Sequence, residues 1–304
     1  MSENAPLATV IIPSYNQKHV IFDALQSVLA QETDFDFEVI VVESTGDDTA
    51  QLIRQKFPGI KVVELKERAF PGTARNEAIK IARGKFLAFT DTDCIVDKFW
   101  LQRLVDAHKE GFPVVGGMVR NGTPKSIAGT VDYLLEFSDL ITPYQTTDKT
   151  HFGTCNVSFQ KEVFDRHGLF IDQVKGSDSL YTRLVRGKGE TLFHEPGAII
   201  WHRNRTSLKK ILRNQFELGY GAAFNRYKYN LKGKLFIRFP FLIPLMPFVR
   251  LGAIGWRLLK NSPKDFVKFV ILSPLILVGL YAHALGFMKG RRHVLRAVRQ
   301  SGTT

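Results

Sequence analysis

The chain has 304 residues, of which 44% are hydrophobic and 23% charged, and no part of it is repetitive. This composition excludes a wholly disordered chain and predicts one large domain, or a domain of about 230 residues followed by an accessory region. The net charge of +13 comes from 42 Lys and Arg against 29 Asp and Glu. It predicts a negatively charged partner such as phosphate, nucleic acid or an anionic lipid surface.

The cysteine content and the N-terminal residues bear on the cellular compartment in which the chain is found. Cys94 and Cys155 are the two cysteines, so no disulfide framework is expected and a reducing compartment is the default. Residues 1–8 have neither a basic region nor a long apolar region of the kind found in a secretory signal. We therefore expect the N-terminal part of the chain to be cytoplasmic.

The first half of the chain alternates strands with helices. Residues 8–12 form a β-branched run stopped by Pro13, apolar residues recur at helical spacing over 20–29, and residues 37–42 form a second apolar run. The pattern predicts a βαβ unit. It continues with a helix over Thr49–Phe57, a strand at Ile60–Glu64, a helix over Gly72–Ala82 and a strand at Phe86–Thr90.

This alternation predicts an open, largely parallel sheet with helices on both faces. Ligands of such sheets bind beyond the carboxyl ends of the strands, where the loops with Tyr15, Glu43 and Asp91 would open. Residues 114–159 are less regular. Strands predicted at Val114–Val119 and Cys155–Phe159 belong to the second half of the same domain.

Residues 205–300 are rich in Lys and Arg and nearly free of acid. A basic amphipathic helix is predicted over 207–230, followed by apolar stretches at 236–256 and 266–288. Residues 269–288 include no Asp, Glu, Lys or Arg and are long enough to cross a bilayer core of roughly 30 Å. The first stretch is interrupted by Arg250 and three prolines. We predict that residues 231–304 form a basic, apolar, membrane-associating helical region.

Basic residues lie both between the two apolar stretches and after the second one. A two-span hairpin would therefore place one basic group on the wrong side of the membrane by the positive-inside rule. One span with an interfacial segment, two interfacial helices and a hairpin all remain open. A soluble helical subdomain packed on the core is a further alternative.

Asp91-Thr92-Asp93 follows the strand predicted at Phe86–Thr90. Side chains alternate faces along a strand, so the two carboxylates are expected to point the same way. Such a pair suits Mg²⁺ or Mn²⁺ with positions open to phosphate oxygens. An Asp-x-Asp sequence also occurs in turns and as a helix cap, so the pair has no specific meaning by itself.

Four motifs in order carry a family resemblance: Pro13-Ser14-Tyr15-Asn16, Val41-Val42-Glu43-Ser44, Gly72-Thr73-Ala74-Arg75-Asn76 and Ala88-Phe89-Thr90-Asp91-Thr92-Asp93. With them the chain resembles the family 2 glycosyltransferases over residues 8 to about 225. The resemblance implies a GT-A fold, which is an α/β fold with an open, mixed, largely parallel sheet flanked by helices. It would occupy residues 1–230.

The resemblance also implies roles for residues of the four motifs. Pro13, Tyr15 and Glu43 would hold the nucleotide base and ribose. Arg75 and Asn76 would line the nucleotide pocket together with Asp91 and Thr92, and Asp93 would bind the metal with Asp91 nearby. Simpler roles are a loop plug for Tyr15, a helix cap for Glu43, and a surface pair with Glu77 or Glu67 for Arg75.

One departure from the family pattern concerns base recognition. The family usually has two acidic residues followed by Gly-Ser after the second strand. Here one acid, Glu43, is followed by Ser44-Thr45-Gly46.

Two later segments complete the resemblance. Residues 175–184 resemble the family segment in which an acid pair precedes a helix, so Asp178 would be the base that takes the acceptor hydroxyl's proton. A helix N-terminus favours the ionised form of Asp178, although an ordinary cap has the same geometry and Ser177 replaces the usual preceding acid. Residues 196–202 resemble the family's last strand. His202 would complete the metal shell or contact the diphosphate, or it is a surface group.

The sequence thus predicts an inverting glycosyltransferase that uses a nucleotide-diphospho-sugar, specifically a UDP-sugar, and Mg²⁺ or Mn²⁺. Its acceptor would be a hydroxyl of a lipid-linked saccharide or surface polysaccharide. A nucleic-acid-binding protein is disfavoured because the basic residues flank apolar stretches, which suits anionic lipid. A nucleotide-sugar-binding protein without catalysis and a nucleotidyltransferase remain alternatives. The glycine-free loop after strand one counts against the latter and excludes a dehydrogenase.

Overall fold

A computed structural model describes residues 5–171 and 175–300, apart from the side chains at positions 177, 178 and 298–300. The strands are β1 (Ala8–Ser14), β2 (Phe37–Glu43), β3 (Lys61–Glu64), β4 (Phe86–Phe89), β5 (Cys94–Val96), β6 (Val114–Asn121), β7 (Val157–Gln160) and β8 (Leu192–His202). The helices are α1 (Ile21–Leu29), α2 (Thr49–Lys56), α3 (Pro71–Ile81), α4 (Trp100–Lys109), α5 (Ile127–Phe137), α6 (Glu162–His167), α7 (Ser177–Gly187), α8 (Leu208–Lys228), α9 (Leu235–Arg238), α10 (Met246–Asn261) and α11 (Pro263–Gln300). A 3₁₀ helix at Pro240–Leu245 precedes α10.

Contacts divide the chain into two compact units. The first consists of the described residues of 1–122, 142–172 and 178–202, and the second of those of 123–141, 173–177 and 203–304. The sheet unit, as we call the first, has all eight strands. The helical unit, the second, has α5 and α8–α11. The predicted domain boundary after residue 230 stays a prediction.

The eight strands of the sheet unit form one mixed sheet in the order β3-β2-β1-β4-β7-β6-β8-β5. The first four positions of that order are parallel to one another. Strand β7 is antiparallel to both β4 and β6, β6 is parallel to β8, and β5 is antiparallel to β8. The predicted mixed, largely parallel sheet with flanking helices is confirmed.

The central parallel strands β1 and β2 are apolar because they are covered on both faces. Residues 10–12 of β1 and 40–42 of β2 are fully buried. Continuous β-branched runs are typical of strands in this position, since each successive side chain meets packed atoms rather than solvent. The first half of the sheet therefore holds the strand ends that carry the predicted motifs in a rigid frame.

A buried asparagine positions the strand that ends at His202. Asn156 is fully buried, its amide nitrogen donates to the carbonyls of Met118 and Ala198, and its carbonyl oxygen accepts from the Trp100 indole N–H. These bonds join β6 to β8 where their register shifts at Gly117. A Cβ at Gly117 would overlap the Ala198 carbonyl oxygen, so the close approach requires glycine.

Glycines also set the packing of the helical unit. Gly286 and Gly290 lie one turn apart on α11 and contact the backbone of α8 at Phe216 and Tyr220. A Cβ at Gly286 would overlap the carbonyl oxygen of Phe216. Small residues spaced by four allow helix backbones to approach in this way. The α8–α11 pair therefore depends on the absence of side chains at these positions.

Two segments of the helical unit, Pro240–Asn261 and Pro263–Ala297, have the length and composition of membrane-crossing helices. About a third of the apolar window in each is buried, at 33% and 39%. Large apolar side chains are exposed along both segments: Phe241, Leu245, Phe248, Val249, Trp256, Leu259, Val267, Val270, Ile271, Leu275, Val278, Tyr281 and Leu285. We call this set the apolar face. Both predicted apolar stretches are helical.

Candidate active site at the carboxyl edge of the sheet

The ends of β1 and β2 lie side by side. Pro13 pairs with Val42 and Ser14 with Glu43 in the parallel register, and the Ser44 N–H donates to the Ser14 carbonyl over 3.1 Å. Tyr15 leaves β1 directly after this pairing and is half-buried. The predicted base-and-ribose residues Pro13, Tyr15 and Glu43 thus come together at one edge.

Glu43 is a buried carboxylate with one oxygen unused. The side chain is 2% exposed, and its Oε1 accepts the Thr45 N–H at 2.7 Å. Its Oε2 is buried and has no hydrogen-bond partner among the described residues. A buried acceptor without a donor costs about 1–3 kcal/mol, so a ligand hydroxyl or N–H placed here would be favoured.

A residue that the sequence did not point to covers Tyr15. The guanidinium of Arg68 lies 4.6 Å from the centre of the Tyr15 ring and 6.0 Å from that of Phe70. Cations over aromatic faces are attracted by the ring quadrupole. In the sequence, Arg68 is simply a basic residue two positions before the aromatic Phe70, and such a pair is too common to predict a site.

Arg75 is held inside the site by a carboxylate of the Asp91-Thr92-Asp93 motif. It is 3% exposed, and its Nη2 donates to Asp91 Oδ1 at 2.5 Å. Its Nε is buried without a partner among the described residues. The alternative of a surface pair between Arg75 and Glu77 or Glu67 is wrong, since Arg75 is buried and pairs with Asp91. A buried guanidinium with an unused N–H suits a phosphate or carboxylate.

Asn76 uses both ends of its amide on the backbone of Phe170. Its nitrogen donates to the Phe170 carbonyl at 2.9 Å, and its oxygen accepts the Phe170 N–H at 3.0 Å. These bonds fix the segment after α6 against α3. The predicted place of Asn76 in the nucleotide pocket stays a prediction.

Asp91, Thr92 and Asp93 lie in a turn between β4 and β5, not on a strand. The alternation of strand side chains therefore does not apply to the two carboxylates, and that expectation is wrong. Thr92 is buried, while Asp91 and Asp93 are about one-third exposed, at 31% and 32%. Asp91 faces Arg75, whereas Asp93 faces His202.

Asp93, Cys94 and His202 form a cluster. His202 Nε2 lies 3.5 Å from Asp93 Oδ1, and Cys94 Sγ lies 3.9 Å from that same oxygen. The three donor atoms lie within 4.8 Å of one another. Burial, followed by the charge of Asp93, raises the pKa of the Cys94 thiol well above its usual range. Both cysteines are unbridged.

The cluster and its neighbour Asp91 have the donors that a divalent ion requires. Carboxylate oxygens suit Mg²⁺ and Mn²⁺, and an imidazole nitrogen is acceptable to Mn²⁺. His202 ends β8 beside Asp93, as the last-strand resemblance implies. The residues present therefore fit a divalent metal.

The profile of the family described as Glycosyl transferase family 2 matches residues 9–168, which is more than half of the chain. The chain belongs to glycosyl transferase family 2. Members of this family are transferases, so the chain is an enzyme, and the predicted family is confirmed.

Two relatives of this family 2 glycosyltransferase illustrate its range. Glycosyltransferase AglE of Haloferax volcanii is 27% identical over 228 residues, which are 73% of this chain and 74% of AglE. The Escherichia coli UDP-Glc:alpha-D-GlcNAc-diphosphoundecaprenol beta-1,3-glucosyltransferase WfaP is 25% identical over 170 residues. That match spans 54% of this chain and 62% of WfaP, less than two-thirds of that protein.

The fold is GT-A. The solved structure of the mannosyltransferase PcManGT from Pyrobaculum calidifontis, in complex with GDP-Man and Mn²⁺, superposes with a TM-score of 0.57. The superposition covers 99% of this chain and 77% of PcManGT at 20% identity. At that identity the likeness shows the fold alone.

The predicted base Asp178 of this family 2 glycosyltransferase lies in the first turn of α7. Its side chain is outside the described residues, so its role stays a prediction. The structure adds Arg68 and Cys94 to the predicted set. It brings together Pro13, Tyr15 and Glu43, then Arg75 with Asp91, and Asp93 with His202.

Proposed function

We propose that the enzyme is an inverting glycosyltransferase. It moves a sugar from a nucleotide-diphospho-sugar, specifically a UDP-sugar, to a hydroxyl of a lipid-linked or surface-polysaccharide acceptor. The observation that carries the proposal is a pair of buried polar atoms without a hydrogen-bond partner among the described residues: Glu43 Oε2 at the end of β2, and Nε of Arg75, an α3 residue that pairs with Asp91 after β4. The free carboxylate oxygen of Glu43 can accept a hydrogen bond from a nucleotide hydroxyl, and the cationic Arg75 can donate one to a negatively charged group of the nucleotide.

The donor binds along the ends of β1, β2 and β4. Pro13, Tyr15 and Glu43 hold the base and ribose, with Glu43 Oε2 accepting a ligand hydroxyl or N–H. Arg75 and Asn76 line the nucleotide pocket with Asp91 and Thr92, and the Arg75 Nε donates toward the nucleotide. PcManGT is described in complex with GDP-Man, and the name of WfaP includes UDP-Glc, which supports a nucleotide-sugar donor.

Asp93, with Asp91 and His202, holds Mg²⁺ or Mn²⁺. The PcManGT complex with Mn²⁺ supports a metal in this fold. When bound, the ion supplies positive charge that offsets the diphosphate of the leaving nucleotide. Arg75 orients the Asp91 carboxylate through the 2.5 Å hydrogen bond between them.

Asp178 takes the proton of the acceptor hydroxyl. The acceptor oxygen forms a bond to the anomeric carbon while the bond from that carbon to the diphosphate oxygen breaks. The bonding pair leaves with the nucleotide diphosphate, and the configuration inverts. The first turn of α7 favours the ionised carboxylate through the helix dipole.

The apolar face of the helical unit holds the enzyme at a membrane, with the sheet unit in the cytoplasm. Lys260, Lys264 and Lys268 near the junction of α10 and α11 would meet anionic lipid. The name of WfaP includes an undecaprenol-linked acceptor, which supports a lipid-linked substrate. Residues 1–230 would then be the catalytic domain and 231–304 the membrane-associating region.

The test is transfer by the purified full chain from UDP-glucose, UDP-GlcNAc or GDP-mannose to a polyprenyl-diphosphate-linked GlcNAc. We expect one donor to give product, whose anomeric configuration by NMR is inverted relative to the donor. Asp178→Asn should lower transfer by roughly 10²–10⁴-fold without changing nucleotide affinity. The control is Asp165→Asn, at an exposed aspartate of α6. Full activity in Asp178→Asn would refute the base, and a retained configuration would refute inversion.

A further inference from the structure

Arg250 and His283 are polar residues of the two apolar helices, and the proposed reaction uses neither of them. We propose that they form, together with Arg226 and Arg257, a binding site for the phosphate group of a membrane lipid. The site lies within the helical unit, because its residues belong to α8, α10 and α11. A lipid would reach it from the membrane, so it depends on the proposed membrane contact of the apolar face. It shares no residue with the donor site.

Arg250 lies on the buried side of α10. It is spaced by four residues from Met246 and from Ile254, which are 6% and 3% exposed, and residues four apart lie on the same face of a helix. Nη1 of Arg250 is buried and has no hydrogen-bond partner among the described residues. A charged side chain in an apolar helix is costly, and such residues commonly mark binding sites for ions or substrates. Arg250 therefore offers a donor where an apolar side chain would be expected.

His283 is a second buried polar group, on α11. It is 7% exposed, and its Nδ1 is buried without a hydrogen-bond partner in the described part of the chain. The rings of Phe248 and Tyr281 contact each other at a centroid distance of 6.1 Å, which joins α10 to α11 two residues before each of these polar groups. The charge of Arg250 is close enough to act on His283. Two unpaired polar atoms from different helices thus lie in one region.

Two further arginines add positive charge to this region. The charges of Arg226 on α8 and Arg257 on α10 both act on Arg250, and Arg226 also acts on His283. Nη1 of Arg257 donates to a neutral acceptor, the Ser138 hydroxyl, over 3.5 Å. Like charges repel strongly where little water screens them, and a buried charge is costly without a counter-ion. An anion bound among the arginines would relieve both costs.

Two acidic residues at the end of α5 reduce the positive charge without cancelling it. The charges of Glu136 and Asp139 act on Arg250. Oε1 of Glu136, however, already accepts from Arg205 Nη1 at 3.0 Å and from the Asn214 amide. The cluster of Arg226, Arg250 and Arg257 therefore keeps a net positive charge.

A phosphate group carried by a lipid suits both the charge and the surroundings of the cluster. A guanidinium binds phosphate oxygens through two parallel hydrogen bonds. Phe248 and Val249, directly before Arg250, belong to the apolar face and are 52% and 62% exposed. A hydrocarbon chain would cover these side chains while its phosphate meets the arginines. Basic pockets between helices at a membrane are typical sites for anionic lipid head groups.

The test is a calorimetric titration of the purified full chain, in nonionic detergent, with dioctanoyl phosphatidic acid. Dioctanoylglycerol has the same chains without the phosphate and is the matched ligand control. We expect it and inorganic phosphate each to bind at least about tenfold more weakly than the phosphatidic acid. Farnesyl phosphate is titrated in parallel. Tighter binding of farnesyl phosphate would identify a polyprenyl lipid as the source of the phosphate, and tighter binding of phosphatidic acid a glycerolipid.

Variants locate the site. Arg250→Gln should weaken binding of the phosphatidic acid by roughly tenfold or more, because it removes the charged donor. Arg238→Gln, at an exposed arginine of α9, removes the same charge and should leave binding unchanged. His283→Phe keeps a ring but removes its polar atoms, and it should weaken binding severalfold. Thermal unfolding in the same detergent shows which variants are folded, and His283→Phe replaces Arg250→Gln if the latter does not fold.

Several outcomes would overturn the site. They are equal affinities for phosphatidic acid and dioctanoylglycerol, inorganic phosphate binding as tightly as the lipid, unchanged binding in the folded variant, and a loss in Arg238→Gln as large as in Arg250→Gln. Vesicle co-sedimentation tests the proposed membrane contact separately. Sedimentation without preference for the phosphorylated lipid refutes only the phosphate site. Preference in detergent without sedimentation refutes only the membrane contact, and neither measurement depends on glycosyl transfer.

Discussion

The carboxyl edge of the sheet and the apolar face of α10 and α11 are built on opposite principles. At the edge, two buried polar atoms, Glu43 Oε2 and Arg75 Nε, have no hydrogen-bond partner among the described residues, and the neighbouring strands β1 and β2 are buried. On the helices, many large apolar side chains are exposed. One region is suited to a defined small ligand, and the other to an extended apolar phase.

The two regions should respond differently to single substitutions. Removing one buried polar partner leaves its counterpart unsatisfied and changes binding sharply. Removing one exposed apolar side chain subtracts only its own area.

The contact between α11 and α8 should be as sensitive to a single substitution as the sheet edge is. The tolerance of single substitutions is therefore expected only on the exposed side of the helices. Gly286→Leu places atoms where the Phe216 carbonyl lies. We expect the helical unit to lose more than about 3 kcal/mol of unfolding free energy. Thermal unfolding measured by circular dichroism checks this. Gly252→Ala, on α10 with open space around its Cα, should be neutral or slightly stabilising, and equal losses in both variants would contradict the packing argument.

The sheet unit should be acid-sensitive at His108. Burial lowers the pKa of His108 to about 4, while Nδ1 donates to the Phe112 carbonyl and Nε2 accepts from Ser158. The folded pKa lies below the unfolded one, so stability is complete above about pH 6.5 and falls as the pH drops toward 4, by about 3 kcal/mol in total. Denaturant unfolding across this range measures the loss. His108→Gln should flatten that part of the pH profile, and an unchanged slope would refute the assignment.

Glu43→Gln should weaken nucleotide binding by roughly 10–100-fold, because the amide replaces an unused acceptor with a donor. Calorimetric titration with UDP and Mn²⁺ measures the change. Glu64→Gln is the matched control, since Glu64 is the β3 partner of Glu43 but is exposed and paired with Arg54. Equal affinities of Glu43→Gln and the wild type would remove Glu43 from the donor site.

Single substitutions on the apolar face should each weaken membrane binding by a small amount. Trp256→Gln and Ile271→Gln, at side chains 67% and 71% exposed, should each weaken binding to vesicles of anionic lipid by about 1 kcal/mol, or roughly fivefold. Vesicle co-sedimentation measures this. Ile127→Gln, 66% exposed on α5, should leave binding unchanged. An effect of Ile127→Gln as large as the other two would show that the face is not the contact surface.

Local patterns predicted most of the sheet edge. The strands of the βαβ repeat and helices α2 and α3 follow from apolar periodicity and turn residues, whereas the strand ending at His202 came from the family resemblance. The same patterns predicted α8 within two residues of its ends. These features depend on neighbours in sequence, and such signals are the ones a single sequence contains.

The features that the sequence did not predict depend on contacts between residues far apart in the chain. Asn76 bonds to Phe170, 94 positions away, and the three-residue strand β5 is defined by its pairing with β8. Arg75 meets Asp91 because a turn follows β4, which the strand argument did not anticipate. Helix α5 belongs to the helical unit because it contacts helices that lie more than 70 residues later in the chain. No local pattern encodes such pairings.

The carboxyl edge should bind a nucleotide diphosphate together with a metal at Asp93. Calorimetric titration of the full chain with UDP, GDP and dTDP, each with and without Mn²⁺, tests it most directly. We expect metal-dependent binding of UDP that Asp93→Ala removes. Absence of binding by all three nucleotides in the presence of Mn²⁺, or binding that Asp93→Ala leaves unchanged, would show that Asp93 does not hold a metal for a nucleotide at this edge.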